Sequence, residues 1–347
     1  MVDFRYHLVS LIAVFLALAI GVVLGAGPLQ DPIASGLTGQ VRSLREAQEQ
    51  TTAEIERMRV DVNQRNEWIA TLADEYLPGT LNGVSVAIVA FDDTRREDID
   101  AVTSLISTAG GSVATTATVQ RSWYSEELSQ FRTSLSAPIA SHLATAPAAD
   151  ASAGAVLGQA LVQVLTSADG ERSLLRDMLS DSDNTLVTID GDEVANAIII
   201  IGAPNQSANV DGDTTSEAAP DATEPTPSDA SADPAKATDP QALVDLAVAA
   251  SNAPRSAVVM GDATGKEGIV ALLRASKAAV TTVDTIGTTM GNVTTVLALP
   301  SAGAAARAYG FAEGAEAPIP PLPGASSTAQ PSAQPSAQPS AQPTTGD

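Results

Sequence analysis

Four aspartates stand where an open α/β sheet would gather carboxylates. Asp92 and Asp93 follow the apolar run Val84–Phe91, Asp262 follows Ala257–Met260, and Asp284 closes the run from Ala278. Each run has the length and composition of a buried strand. Open α/β sheets bind ligands beyond the carboxyl ends of their strands, and converging carboxylates are the oxygen donors that hard cations take. The same four residues serve equally as helix caps and solvated turn residues. Gly261-Asp-Ala-Thr-Gly265-Lys266 looks like a phosphate loop, but it has one residue too few between the glycines. Glu267 also stands where Ser or Thr would hold magnesium. Thr264 to Glu267 reads better as a capping box. Cysteine is absent and the two histidines, His7 and His142, lie far apart in sequence. That excludes a thiolate nucleophile and Cys-based metal sites, and no Ser-His-Asp set assembles. The expectation is a non-enzymatic protein with no cofactor, no metal site and no catalytic residue.

The elements that would position those aspartates alternate between strand and helix. The run VSVAIVAF at Val84–Phe91 precedes a helix entered at Thr94–Glu97 and broken by Gly110-Gly111, and a second strand spans Ser112–Val119. This β-α-β unit predicts a mainly parallel sheet covered by helices. Further helices are expected at Ala153–Leu165, Gln241–Ala250, Lys266–Ala275 and Gly291–Leu299. Strands are expected at Thr185–Ile189, Ala197–Ile201, Ala257–Met260 and Ala278–Asp284, with the fully apolar Ala197–Ile201 in the centre. The α/β domain is thus expected over 80–315.

Two segments stand outside that pattern. Residues 205–240 contain eight Asp or Glu, one Lys, and no aromatic, Leu, Ile or Met. Such a stretch cannot bury enough apolar surface to order itself, so it reads as a disordered acidic insertion. Residues 316–347 are Pro-rich and end in AQPS repeats over Ala329–Ser340, a low-complexity tail. The net charge of −23 argues against nucleic acid and against electrostatic adhesion to anionic lipid.

The whole chain hangs from its N-terminus. Leu8–Gly27 is a run of 20 uncharged residues, enough as a helix to cross the hydrocarbon core of a bilayer. A cleaved signal peptide is the rival reading. The run is long for a signal, and Pro28 follows the best small-x-small site. With Arg5 before the span and no basic residue after it until Arg42, the positive-inside rule places residues 1–7 in the cytoplasm and the bulk outside. Ala13, Ala17, Gly21 and Gly25 recur every four residues, a spacing that allows close helix–helix approach in a membrane and is also common in membrane helices generally.

Below the span, 36–77 reads as a coiled coil. Leu37, Val41, Leu44, Gln48, Thr51, Ile55, Met58, Val62, Arg65, Ile69, Leu72 and Tyr76 alternate in steps of four and three, and nine of these twelve are apolar. With Val41 at position a, β-branched residues dominate a while Leu and Met dominate d, the pattern of a parallel dimer. Glu54 at g faces Arg59 at the next e. Gln48 and Arg65 are polar seam positions that set register at a cost in stability. The alternative is one amphipathic helix packed on its own domain. Pro78-Gly79 ends the helix.

The opening, with Arg5, His7, Val9-Ser10-Leu11 and AVFLALAIGVVLGAG, followed by a coiled coil and an α/β domain, resembles the actinobacterial MctB family. Asp284, Gly291, Val296-Leu297-Ala298-Leu299 and Tyr309-Gly310 resemble it as well. The likeness covers about residues 1–315 without the acidic insertion. It implies one of two roles. One is the copper efflux through the outer membrane for which the family carries the label copper transporter. The other is that of SteB, a membrane-anchored partner of SteA in envelope and division control. Copper(I) prefers Cys and Met sulfur, with His as a further ligand, and this chain has no Cys, two His and five Met. One apolar helix per chain also does not make a β-barrel. The expectation is therefore a dimeric, membrane-anchored extracytoplasmic interaction protein with a SteA-like partner; the alternative is copper homeostasis.

Overall fold

The computed structural model describes residues 4–25, 30–180, 184–202, 238–255, 257–303 and 305–322. The chain forms two compact units, Met1–Glu67 and Trp68–Asp347. The first holds α1 (Phe4–Gly25) and most of α2 (Gln30–Tyr76). Within α1, Tyr6–Val23 is long and apolar enough to cross a membrane, and none of it is buried. Most of the expected acidic insertion and of the C-terminal tail lies outside the described residues.

In the second unit the order is β1 (Ser85–Phe91), α3 (Arg96–Thr108), β2 (Ser112–Val119), α4 (Arg121–Tyr124), α5 (Ser129–Ala140), α6 (Ala153–Thr166) and α7 (Arg172–Leu179). It continues with β3 (Val187–Asp190), β4 (Ala197–Ile201), α8 (Pro240–Ala250), β5 (Ala257–Met260), α9 (Ile269–Ala275), β6 (Thr281–Val283), α10 (Thr289–Ala298) and β7 (Ala308–Tyr309). The sheet has seven strands in the order β3-β2-β1-β4-β5-β6-β7. All neighbours run parallel except β2 and β3, which are antiparallel. The expected mainly parallel α/β fold is what forms. Strand order reverses between β1 and β4, which makes that junction the topological switch point.

Both faces of the sheet are covered, and the strands show why. On β1, Ala87, Val89 and Phe91 point into one core with α4–α9, whereas Val86 and Ile88 point into the other with α3 and α10. On β4, Ile198 and Ile200 divide from Ala197, Ile199 and Ile201 in the same way. Strands buried on both faces read as unbroken apolar runs, not alternating ones. Small residues set the helix spacing. A Cβ on Gly158 of α6 would lie 2.8 Å from the Ala249 Cβ of α8, so the glycine permits the close approach of these two helices. Gly110 ends α3 at φ +84°, with the Gly111 amide on the Ile106 carbonyl and the Gly110 amide on Ser107, a Schellman cap.

Several expected boundaries shift. The expected capping box at Thr94 does not form; α3 starts at Arg96 without a side-chain cap. Thr94 Oγ1 instead accepts from the Phe91 amide and donates to the Ile201 carbonyl, tying β1 to β4 across the switch point. Strand β6 is only three residues, shorter than the run from Ala278 suggested. The insertion ends sooner than Pro240. Thr238 bridges Ser125, and Asp239 caps α8 while pairing with the buried Arg132 at 2.6 Å. The fold likewise continues past 315, because the Glu316 amide donates to the Ala308 carbonyl and Ala317 bridges Tyr309.

Candidate functional site

At the switch point the backbone leaves β1 through Asp92 and Asp93, both exposed. The Tyr124 hydroxyl donates to Asp92 Oδ1 at 2.8 Å. The Tyr124 ring meets Phe91 edge-on, with centroids 5.7 Å apart, and the Arg121 guanidinium lies 6.0 Å from its centre. Burial, reinforced by the Asp92 carboxylate that accepts its proton, raises the Tyr124 pKa, so the phenol stays a donor. Desolvation first and the neighbouring Asp92 second raise the Asp93 pKa.

The other two aspartates are engaged by their own loops. Asp262 accepts from the Thr264 amide and hydroxyl and from the Gly265 amide. The expected capping box at Thr264 gives way to this turn, and α9 begins only at Ile269. Asp284 accepts from the Phe311 and Ala312 amides and from Arg274 Nη1 at 2.8 Å. Arg274 also donates to the Tyr309 and Glu313 carbonyls. Buried acid and base thus hold the loop after β7 against the sheet. Among the described residues, no group of three or more His, Cys, Asp or Glu comes together as a metal site. Asp92 and Asp93 are adjacent, while Asp262 and Asp284 each belong to a separate local network.

Helix α2 carries exposed apolar side chains. On α2, the seam residues Leu44, Ile55, Met58 and Val62 are 68, 46, 57 and 50 % exposed. Gln48, Thr51 and Arg65 are exposed on the same helix. Thr51 bonds back to the Ala47 carbonyl, and Arg65 pairs with Asp61 at 2.6 Å. The side chains of Leu37 and Val41 lie outside the described residues. Further along, Ile69, Leu72 and Tyr76 are half-buried, and Ile69 packs with Ala73 and Leu77 under the sheet. Of these last expected seam positions, Ile69 is therefore covered within its own chain. In α1, Ala13, Ala17 and Gly21 are exposed, and Gly25 is the last residue of the helix.

One family description spans α1, α2 and the sheet. The family described as copper transport outer membrane protein, MctB, matches residues 1–320. The chain belongs to the MctB family. The copper transporters MctB of Mycobacterium tuberculosis and Mycobacterium bovis are each 33% identical to it over 167 residues, 47% of this chain and 53% of theirs. That of Mycobacterium leprae is 33% identical over 116 residues, 33% of this chain and 37% of its own. The chain thus spans about half the length of the curated relatives it matches. In this MctB-family chain the soft donors are dispersed. Met260 is fully buried on the α3–α10 side of the sheet and Met178 packs into the opposite core. Met58 is exposed on α2, and the His142 ring bonds Glu171 at 2.8 Å.

The sequence reading missed Tyr124 on Asp92, Arg132 on Asp239 and Arg274 on Asp284. Their partners lie 32, 107 and 10 residues away. A weak signal existed for the two arginines. In a chain with 18 basic residues against 41 acidic ones, an arginine inside an apolar helix face needs a buried acid.

Proposed function

We propose that this MctB-family protein is a non-enzymatic interaction protein of the cell envelope. It is anchored in the membrane by α1, with its N-terminus in the cytoplasm and its bulk outside, and it acts as a parallel homodimer. Its partner is a SteA-like protein of envelope and division control. The observation that carries this reading is the exposed apolar stripe of α2. Side chains of this kind leave water only against another protein surface, and the heptad spacing suits a second helix. Of the strand-end aspartates, Asp262 and Asp284 are engaged by their own loops.

The family description and the relatives' names favour a second reading, a role in copper efflux with copper as cargo. Complementation of a deletion strain separates the two. One copy carries Ile55→Asp and Val62→Asp; another carries Met178→Leu, Met260→Leu and Met290→Leu, swaps that conserve volume. The interaction reading expects the methionine variant to restore both envelope integrity and copper tolerance, and the seam variant to restore neither. Loss of copper tolerance in the methionine variant alone would establish the copper reading instead.

A further inference from the structure

The apolar repeat of α2 changes its use at one point. Leu44, Ile55, Met58 and Val62 are exposed. Beyond Glu67 the inward residues are Ile69, Ala73 and Leu77, spaced by four and packed with Val86, Ile88 and Ile106. That face serves the chain's own core. Arg65 stands before the change, at a seam position, held by Asp61 four residues back with both side chains well exposed.

Resting on the reading of the chain as a parallel dimer, we infer that a second copy of this chain covers α2 only as far as Val62, and that Arg65 ends the seam. At a d position, Arg65 of one copy faces Arg65 of the other. Two guanidiniums at one layer repel, and each stays solvated by pairing with its own Asp61. The apolar contact therefore stops one layer earlier. The charges flanking the seam choose the occupant and its direction. In a parallel pair, Glu54 at g meets Arg59 at e of the second copy. An antiparallel pair would instead set the acidic g residues Glu54 and Asp61 against each other, and the basic e residues Arg45 and Arg59 likewise. The membrane helix also precedes the seam in every copy, so only the parallel arrangement brings both anchors to one end.

The absence of cysteine makes the test direct. Leu44, Met58 and Leu72 all occupy d positions, and 44 and 58 are two heptads apart. Full-length Leu44→Cys, Met58→Cys and Leu72→Cys are each oxidised in membranes, and the linked dimer is normalised to maleimide labelling of the same thiol. The first two are expected to link, and Leu72→Cys to roughly a tenth of that yield or less, because unpaired positions do not bring two Cβ atoms within disulfide reach. Equal linking at Leu72→Cys would overturn the stop at Val62 and leave the parallel dimer standing. No linking at either Leu44→Cys or Met58→Cys would overturn the dimer itself. Arg65→Leu should tighten association of the full chain in detergent by about tenfold, as an apolar d residue extends the seam. An unchanged dissociation constant removes Arg65 from that role.

Discussion

Two stretches of α2 carry the same residue types and end differently. In Leu44–Val62 the apolar side chains are exposed, whereas Ala73 and, just past the helix, Leu77 are almost wholly buried. Apolar spacing alone therefore says that a helix has a sticky face, not what covers it. The alternation of fours and threes runs on through Ile69, Leu72 and Tyr76, so the spacing does not separate the stretches. What separates them is what lies against the helix: Ile69, Ala73 and Leu77 pack with the chain's own core.

That contrast yields a ranked set of expectations. Leu77→Asp should have the largest effect. It buries an unpaired carboxylate among Leu81, Val84 and Ile106, at a cost of about 5 kcal/mol or more, comparable to the whole stability of a marginal domain. Loss of the cooperative melt by circular dichroism checks it. Ile55→Asp with Val62→Asp comes next. It should leave that melt in place and make the full chain monomeric by sedimentation in density-matched detergent, at a cost of several kcal/mol of association. If the double variant stays dimeric, another surface carries the association and the exposed stripe of α2 does not.

Much of the sheet was legible in advance because its central strands are buried on both faces. The runs at Ser85–Phe91 and Ala197–Ile201 need nothing beyond composition to be recognised. The edges were harder. Strand β3 alternates buried and exposed residues over only four positions, and β7 has just two. Each is held by partners remote in sequence. Arg176 donates to the Ile189 carbonyl and Ser180 to Val187 on the outer side of β3, which closes an edge otherwise open to pairing. The short helices α4, α5 and α7 were unread for a related reason, since their buried residues Trp123, Ile139 and Leu175 are too sparse for a periodic signal. The four aspartates do stand just beyond strand ends. Whether such a residue faces a ligand or its own loop depends on backbone amides, and spacing does not show those.

Asp284 sharpens the comparison from the sheet side. Its side chain and that of Arg274 are nearly solvent-free. Asp284→Asn should cost about 3 kcal/mol, chiefly by leaving the guanidinium buried without its counter-charge. Hydrogen exchange should speed up at Phe311 and Ala312, whose amides bond Asp284, while the α2 seam remains as protected as before. Faster exchange along the seam as well would mean that the two units do not respond separately.

Asp93 should give the smallest effect, and its sign is the test. Partial desolvation, first, and the neighbouring Asp92 raise its pKa in the folded chain. A carboxyl whose folded pKa is raised favours folding while protonated, and that contribution is lost as pH rises through the folded value. Below the ordinary aspartate range, Asp93 and an asparagine in its place are both neutral, and Asp93→Asn should melt with the parent. Above the raised value, only the parent carries the extra negative charge beside Asp92. The variant should therefore melt slightly higher at neutral pH, by an amount reduced because the side chain is exposed and partly screened. A variant less stable than the parent at neutral pH would mean that Asp93 is held by a favourable partner as an anion, and would reopen this strand end as a place where a cation or a basic group sits.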